Sequence, residues 1–168
     1  VNPGQKTQLF IDGDLYITGD VSYPGSWSYD RIPLFQVIVR GNIYVGAGVR
    51  QLDGVYIAQP RPDNSKGYIY TCTTAAAPPT LTAGAFYNSC VTNKLTVNGS
   101  LVSRNLQLLR TQGTLRNSNA GENKAANDAA ESVNYGPAFW ITQPNPTEGD
   151  SEGQADNYDA ITSLPPVL

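Results

Sequence analysis

The chain has 168 residues, which suits one domain, and a net charge of −3 with 11 basic residues that form no run. This pattern excludes a readable nucleic-acid-binding stripe, and no stretch approaches the 18 apolar residues of a membrane span. Charged residues make up only 15%, whereas Gly, Pro and Tyr are numerous, so the composition favours β structure over helical bundles.

A fourfold repeat runs through the first two thirds of the sequence. Each copy is a polar residue, Gly, any residue, Leu or Ile, and then Tyr or Val, and the repeat glycines are Gly13, Gly41, Gly67 and Gly99. Their separations of 28 (41 − 13), 26 (67 − 41) and 32 (99 − 67) residues are typical of solenoids. Around each glycine, apolar and polar residues alternate, which predicts strands with one buried face and a bend at the glycine.

The repeat predicts an all-β fold: a short, right-handed parallel β-helix, or solenoid, of about four coils stacked about 4.8 Å apart. The solenoid is expected over residues 1–116, with residues 117–168 adding a capping helix, a strand and an irregular tail to the same domain. A β-sandwich with fortuitous glycines is the alternative. Further strands are predicted at Leu34–Gln36, Val55–Ala58, Thr80–Leu81 and Leu106–Leu109.

The residues before the repeat glycines are expected to stack as a row along one edge of the solenoid. This row consists of Asp12, Arg40, Lys66 and Asn98. Its mixture of charges has the look of a catalytic set, but a solvated row at a turn is the preferred interpretation, because Asp and Asn are ordinary residues at turns.

An aromatic segment lies between the first two repeat copies. Its residues Tyr23, Trp27 and Tyr29 are candidates for contact with a ligand or a partner, since aromatic faces stack on sugar rings and on other side chains. The alternative, which we favour, is a lid that packs over the edge of a coil.

The two cysteines, Cys72 and Cys90, flank a segment rich in Pro, Thr and Gly. Zinc would need more ligands, and the chain has no histidine, so we predict a disulfide; two buried thiols are the alternative. Closing this loop would stabilise the fold by about 3 kcal/mol and would place folding outside a reducing cytosol. The chain also begins at Val1 and lacks methionine, which indicates a processed or a trimmed chain; processing after export is the preferred interpretation, and whether a signal or anchor preceded Val1 stays open.

The last third of the chain departs from the repeat. Asn119 and Glu122 have the spacing of a capping box and predict a helix to about Val133, followed by a strand over Pro137–Ile141. The acidic residues near the end could hold Ca²⁺ through oxygen ligands, but their spacing does not match a calcium loop, so a solvated tail is the preferred interpretation. These residues are Asp150, Glu152, Asp156 and Asp159.

Sequence motifs for catalysis are lacking. Without histidine there is no ordinary base for a nucleophile, and no phosphate-binding or dinucleotide-binding motif is present. Asp12 and Asp14 form the nearest carboxylate pair, as a glycan-cleaving enzyme would need, but they flank a turn. We therefore predict no enzyme activity, no catalytic residues, no cofactor and no metal.

Four segments resemble exported proteins of ultrasmall, host-attached bacteria of the candidate phyla radiation. The segments are Gly41–Val45, Leu95–Val102, Leu108–Arg116 and Tyr158–Pro166. This resemblance extends over most of the chain and implies a surface or pilus-associated context. Bactofilins, whose short glycine-centred coils polymerise end to end, are similar in architecture only.

The sequence thus predicts a non-catalytic structural or adhesive protein of the cell surface, in the role of a filament or pilus-associated subunit. Its expected partners are other copies of itself, joined end to end or laterally, or a cell-surface protein or glycan. A carbohydrate-binding module and a glycan-cleaving β-helix enzyme are the alternatives.

Overall fold

The structure is a computed structural model that describes residues 2–28, 31–74, 89–111 and 129–136. This part of the chain is all-β and contains nine strands. They are β1 (Lys6–Asp12), β2 (Leu15–Ile17), β3 (Leu34–Arg40), β4 (Ile43–Gly46), β5 (Gln51–Gln59), β6 (Tyr68–Thr73), β7 (Leu95–Ser103), β8 (Asn105–Gln107) and β9 (Glu131–Asn134).

The strands alternate between two parallel sheets. Sheet A contains the odd-numbered strands in the order β1-β3-β5-β7-β9, and sheet B contains the even-numbered strands in the order β2-β4-β6-β8. Because parallel neighbours run in the same direction, the chain must return to the start of sheet A after each strand of sheet B. We call each odd strand with the even strand that follows it a layer.

The layers are in register but differ in length. In the first two layers, Asp12 pairs with Arg40, 28 residues later (40 − 12). Arg40 then pairs with Gln59 after only 19 residues (59 − 40), because the return from β4 to β5 takes only residues 47–50. Gly54 pairs with Gly99 after 45 residues (99 − 54). A fixed period therefore does not describe the chain.

Three repeat glycines form one row at the corner between the sheets. Gly13, Gly41 and Gly67 each precede by two residues a set of paired positions in sheet B, which are Leu15, Ile43 and Ile69. The Gly67 N–H donates to the Gly41 carbonyl at 3.1 Å. A β-carbon on Gly41 would lie 2.1 Å from the Gly13 carbonyl oxygen, so the close stacking of these two residues requires glycine at position 41.

The predicted equivalence of Gly99 with this row is wrong. Arg104 takes the fourth place, where its N–H donates to the Gly67 carbonyl at 2.9 Å, and Gly99 pairs with Gly54 within sheet A. Gly54 and Gly99 form a second glycine row, where φ of 121° and 149° bends both strands. Gly99 shares the local sequence pattern of the first row because both rows provide tight bends between apolar strand segments.

Of the four residues predicted to stack in a row before the repeat glycines, only the first two are neighbours. Asp12 pairs with Arg40 as expected. Lys66 instead lies in a loop over residues 60–67 that interrupts the crossing from β5 to β6, and it forms a 3.0 Å ion pair with Asp14. Asn98 pairs with Asp53 and Asn134 at the second glycine row, because Gly99 belongs there.

The other predicted elements have mixed outcomes. Strands lie at Leu34–Gln36 and Val55–Ala58 within β3 and β5, and β8 covers only the first part of Leu106–Leu109. The helix predicted to reach Val133 is wrong at its end, because Glu131–Asn134 extends sheet A as β9. Residues 129 and 130 are described and are not helical, whereas the earlier part of that helix lies outside the described residues, and so do Thr80–Leu81, Pro137–Ile141 and the acidic residues from Asp150 to Asp159.

The core lies between the two sheets. It is formed mostly by β-branched and leucine side chains that alternate with outward-facing residues, as the period of two in the sequence predicts. Each such side chain stabilises the fold by about 1.5–3 kcal/mol when fully buried. The most buried are Val37, Val39, Ile43, Val45, Val49, Leu52, Tyr56, Ile69, Leu95 and Val97.

A disulfide joins the end of β6 to the connection before β7. The sulfur atoms of Cys72 and Cys90 are 2.02 Å apart, and both residues are buried. The predicted bridge is therefore present. No helix in the described ranges is long and apolar enough to cross a membrane.

Candidate functional site

The aromatic segment after β2 places its residues in different environments. The Tyr23 hydroxyl accepts a hydrogen bond from the Phe35 N–H at 2.8 Å, and the Tyr23 N–H donates to Asp53 at 2.6 Å. Burial raises the pKa of Tyr23. Trp27 is 47% exposed, and Tyr29 lies outside the described residues. Tyr23 is thus tied to sheet A through the Phe35 N–H and the Asp53 carboxylate and is not an open ligand contact.

A column of tyrosines covers the outer face of sheet B. Tyr16, Tyr44 and Tyr70 are register partners on β2, β4 and β6, so their rings repeat at the strand spacing. The ring centroids are 4.8 Å and 5.1 Å apart, with interplanar angles of 14° and 6°. Such stacking is worth about 0.5–1.5 kcal/mol for each aromatic pair. The column therefore ties three layers together.

The three rings of this column differ in how accessible they are to a ligand. Tyr44 is stacked on both sides and only 5% exposed, and its hydroxyl accepts from the Asn42 amide at 2.9 Å. Tyr16 stacks on Tyr44 with one face and is 40% exposed. Tyr70 is half-buried and is flanked by Tyr68 at 6.0 Å. Tyr16 is the ring of the column that is most accessible to a ligand.

A cleft of about 420 Å³ lies beside this column, where the strands of sheet B end. In the described part of the chain, the side chains that line it are all uncharged at neutral pH. They combine two tyrosine rings with hydroxyl groups and small residues. The lining residues are Tyr16, Ile17, Thr18, Tyr44, Gly46, Ala47, Gly48, Thr73, Thr74 and Ser89.

Several carboxylates hold the layers together. Asp14 accepts from the Asn42 N–H at 2.9 Å, and Asp20 accepts from the Arg50 N–H at 2.6 Å. Asp53 accepts from the Tyr23 N–H, as described, and from the Asn98 amide at 2.7 Å. Each bond joins residues at least 28 positions apart in the sequence. These carboxylates satisfy backbone amides at the bends, where the sheets leave them without partners.

Arg110 is a buried cation that binds main-chain carbonyls of several layers. Its guanidinium donates to four carbonyl oxygens at 2.9 to 3.4 Å, and the residue is 6% exposed. Burial lowers the pKa of Arg110, and the nearby Glu131 acts in the opposite direction. The acceptors are the carbonyls of Gly46, Ala47, Thr71 and Asn93.

Glu131, on β9, is the acidic counterpart of Arg110. Its Oε1 accepts from the N–H groups of Leu109 and Arg110 at 2.9 and 2.6 Å, and from the Thr71 hydroxyl at 2.7 Å. Its Oε2 is buried and has no hydrogen-bond partner among the described residues. Sequence reasoning missed this pair, because neither residue belongs to a repeat. The tyrosine column was not predicted either, although the recurring Tyr of the repeat was the signal that could have revealed it.

The described ranges contain no group of acidic residues or cysteines arranged to hold a metal ion. Comparison with family models, with curated proteins and with solved structures finds no match to the chain. Function must therefore be argued from the geometry of the chain itself.

Buried tyrosines predict a loss of stability at alkaline pH. Burial raises the pKa of Tyr56, which is 1% exposed, above the value of about 10 that it has in the unfolded chain. The folded state then retains a proton that the unfolded state releases. The contribution of Tyr56 to the free energy of unfolding should thus be constant below about pH 10. Above that pH it should fall by about 1.4 kcal/mol per pH unit.

Urea denaturation at pH 8 and at pH 11 measures this effect. Tyr56→Phe should show a smaller fall between the two pH values, although it also loses the 3.2 Å hydrogen bond to the Asp53 carbonyl at both. Equal falls for the wild-type protein and the variant would contradict the assignment to Tyr56.

Proposed function

We propose that the chain is a right-handed parallel β-solenoid and a non-catalytic structural or adhesive protein of the cell surface. The observation that carries the proposal is the registered stacking of layers, in which neighbouring strands of each sheet come from successive layers of the described chain. Repeat proteins of this kind are stabilised by contacts between neighbouring repeats and present extended surfaces for binding.

The use of the acidic side chains supports a non-catalytic role. Asp14, Asp20, Asp53 and Glu131 all accept backbone N–H donors, and Asp14 also pairs with Lys66. A carboxylate that is needed to hold a bend is poorly placed to exchange protons with a substrate. These groups are better explained as connections between layers than as a glycan-cleaving pair.

The buried disulfide supports a location outside the cytosol, since such bridges persist in oxidising compartments. The resemblance to exported proteins of host-attached bacteria agrees with that location. Secretion, adhesion and a place in a pilus are parts of the proposal.

Assembly with other copies is supported by the outer strand of sheet A. On β1, Leu9 is 42% exposed and Phe10 is 72% exposed. An exposed strand with apolar side chains is a ready partner for another strand, and a head-to-tail contact of this type produces chains of molecules. Electron microscopy of the native protein distinguishes a filament subunit from a single-particle adhesin.

Cell-surface labelling tests the proposed location. Intact cells of the source organism are treated with a membrane-impermeant biotin reagent, and the cysteines are alkylated before and after reduction. We expect the chain to be labelled, and Cys72 and Cys90 to react only after reduction. An abundant cytosolic protein, which should remain unlabelled, is the control. An unlabelled chain with two free thiols would overturn the proposal.

A further inference from the structure

The cleft beside the tyrosine column is produced by unequal return connections. In the second layer the chain turns back over residues 47–50, whereas the returns of the first and third layers extend over residues 18–33 and 74–94. The short turn at Gly46–Gly48 lies along the cleft, which is also bordered by Thr18 and Ser89 of the longer returns and by Thr73 at the end of β6. The recess is therefore a consequence of how the layers stack.

The chemistry of the lining selects the class of ligand. The side chains that line it among the described residues are uncharged, so they offer no counter-charge to an ionic ligand. Aromatic rings offer an apolar surface, and the hydroxyls of Thr18, Thr74 and Ser89 offer both donors and acceptors. A pyranose ring has the matching properties, because one face presents C–H groups and its rim presents hydroxyls. A volume of about 420 Å³ is within the range of small-ligand sites.

We propose that this cleft binds a neutral saccharide, with a sugar ring packed on the exposed part of Tyr16 and its hydroxyls directed to Thr18, Thr74 and Ser89. The proposal rests on the adhesive function and names its ligand class. It also moves the sugar contact away from the segment containing Tyr23 and Trp27, because Tyr23 is hydrogen-bonded to the Phe35 N–H and to the Asp53 carboxylate in sheet A.

Gly48 provides a way to block the cleft without straining the fold. A β-carbon at Gly48 would have no heavy atom within 4 Å, and its φ lies outside the region that favours glycine. Gly48→Leu should therefore fold and fill the cleft. Gly25→Leu is the matched control, since its β-carbon also meets open space and Gly25 does not line the cleft.

Tyr16 provides a second, independent test. Tyr16→Leu removes the proposed sugar platform together with one stacking neighbour of Tyr44. Tyr70→Leu removes the other stacking neighbour of Tyr44 but lies outside the cleft lining. Comparing the two variants separates loss of the binding surface from weakening of the column. Circular dichroism confirms that each variant is folded.

Calorimetric titration with cello-, malto- and chito-hexaose, and with a galacturonate hexamer as the charged comparison, measures binding. We expect a neutral hexamer to bind with a Kd below about 1 mM, and binding to weaken about tenfold or more in Gly48→Leu and Tyr16→Leu but not in the two controls. Absence of binding by all three neutral hexamers overturns the proposal. So does binding that survives Gly48→Leu, or a preference for the galacturonate hexamer. Surface labelling does not depend on these results, so the two proposals fail separately.

Discussion

Replacing Arg110 with alanine is expected to lower the free energy of unfolding by about 3–5 kcal/mol, the range for breaking one side of a buried charged network. Four carbonyls from several layers lose a charged donor, and Glu131 loses a nearby positive charge. A hydrogen bond to a charged group contributes about 1.5–3 kcal/mol, so even two lost bonds account for the lower end of the range. Urea denaturation followed by circular dichroism measures the change.

Two further variants serve as controls for the effect of Arg110→Ala on stability. Arg40→Ala removes an exposed arginine at the end of β3 and should change stability by no more than about 0.5 kcal/mol. Arg110→Lys keeps the charge but cannot reproduce the planar fork of donors, so it should fall between alanine and the wild-type protein. A loss below about 1 kcal/mol for Arg110→Ala would contradict the role of this residue as a clamp between layers.

Gly99→Ala is the second substitution with a large expected effect. A β-carbon at Gly99 would lie 1.9 Å from the Gly54 carbonyl oxygen and 2.8 Å from the Gly54 carbonyl carbon. Layers 3 and 4 would have to separate, which costs about 1–3 kcal/mol as overpacking. The φ of 149° adds about 1–3 kcal/mol of backbone strain. Thermal and urea unfolding should both show the loss.

Gly13→Ala is a closely matched control for this change. Its φ of 143° is nearly that of Gly99, so the backbone strain is similar, but a β-carbon at Gly13 meets nothing within 4 Å. The difference between the two variants isolates the cost of forcing adjacent layers apart. Equal losses of stability would show that the contact between Gly54 and Gly99 is not a constraint on stacking.

The sequence was a good guide where local chemistry decides the structure. Alternating apolar residues around Gly13 and Gly41 predict β1 to β4, because a strand at the core boundary buries every second side chain. The cysteine spacing and the absence of histidine predict the disulfide. These inferences need only short-range sequence patterns. The alternating pattern is present in all four strands of the first two layers.

The sequence was a poor guide where distant segments compete for one position. Gly99 resembles Gly67 in its neighbours, yet the length of the return before β7 pairs it with Gly54. Arg110 is a single basic residue beyond the last repeat. Its role in stability depends on hydrogen bonds to distant carbonyls, of which that of Gly46 lies more than 60 positions away in the sequence. The cleft depends on the lengths of three connections, and no local motif encodes it.

The return connections have a consequence for how this molecule can vary. Residues 47–50 and residues 74–94 perform the same topological task with very different lengths, while the strands on either side keep their pairing. The energetic cost of lengthening such a connection grows only slowly, because it depends on the logarithm of loop length. This side of the protein is thus suited to accept new sequence and to change what it presents, while the glycine rows keep the scaffold constant.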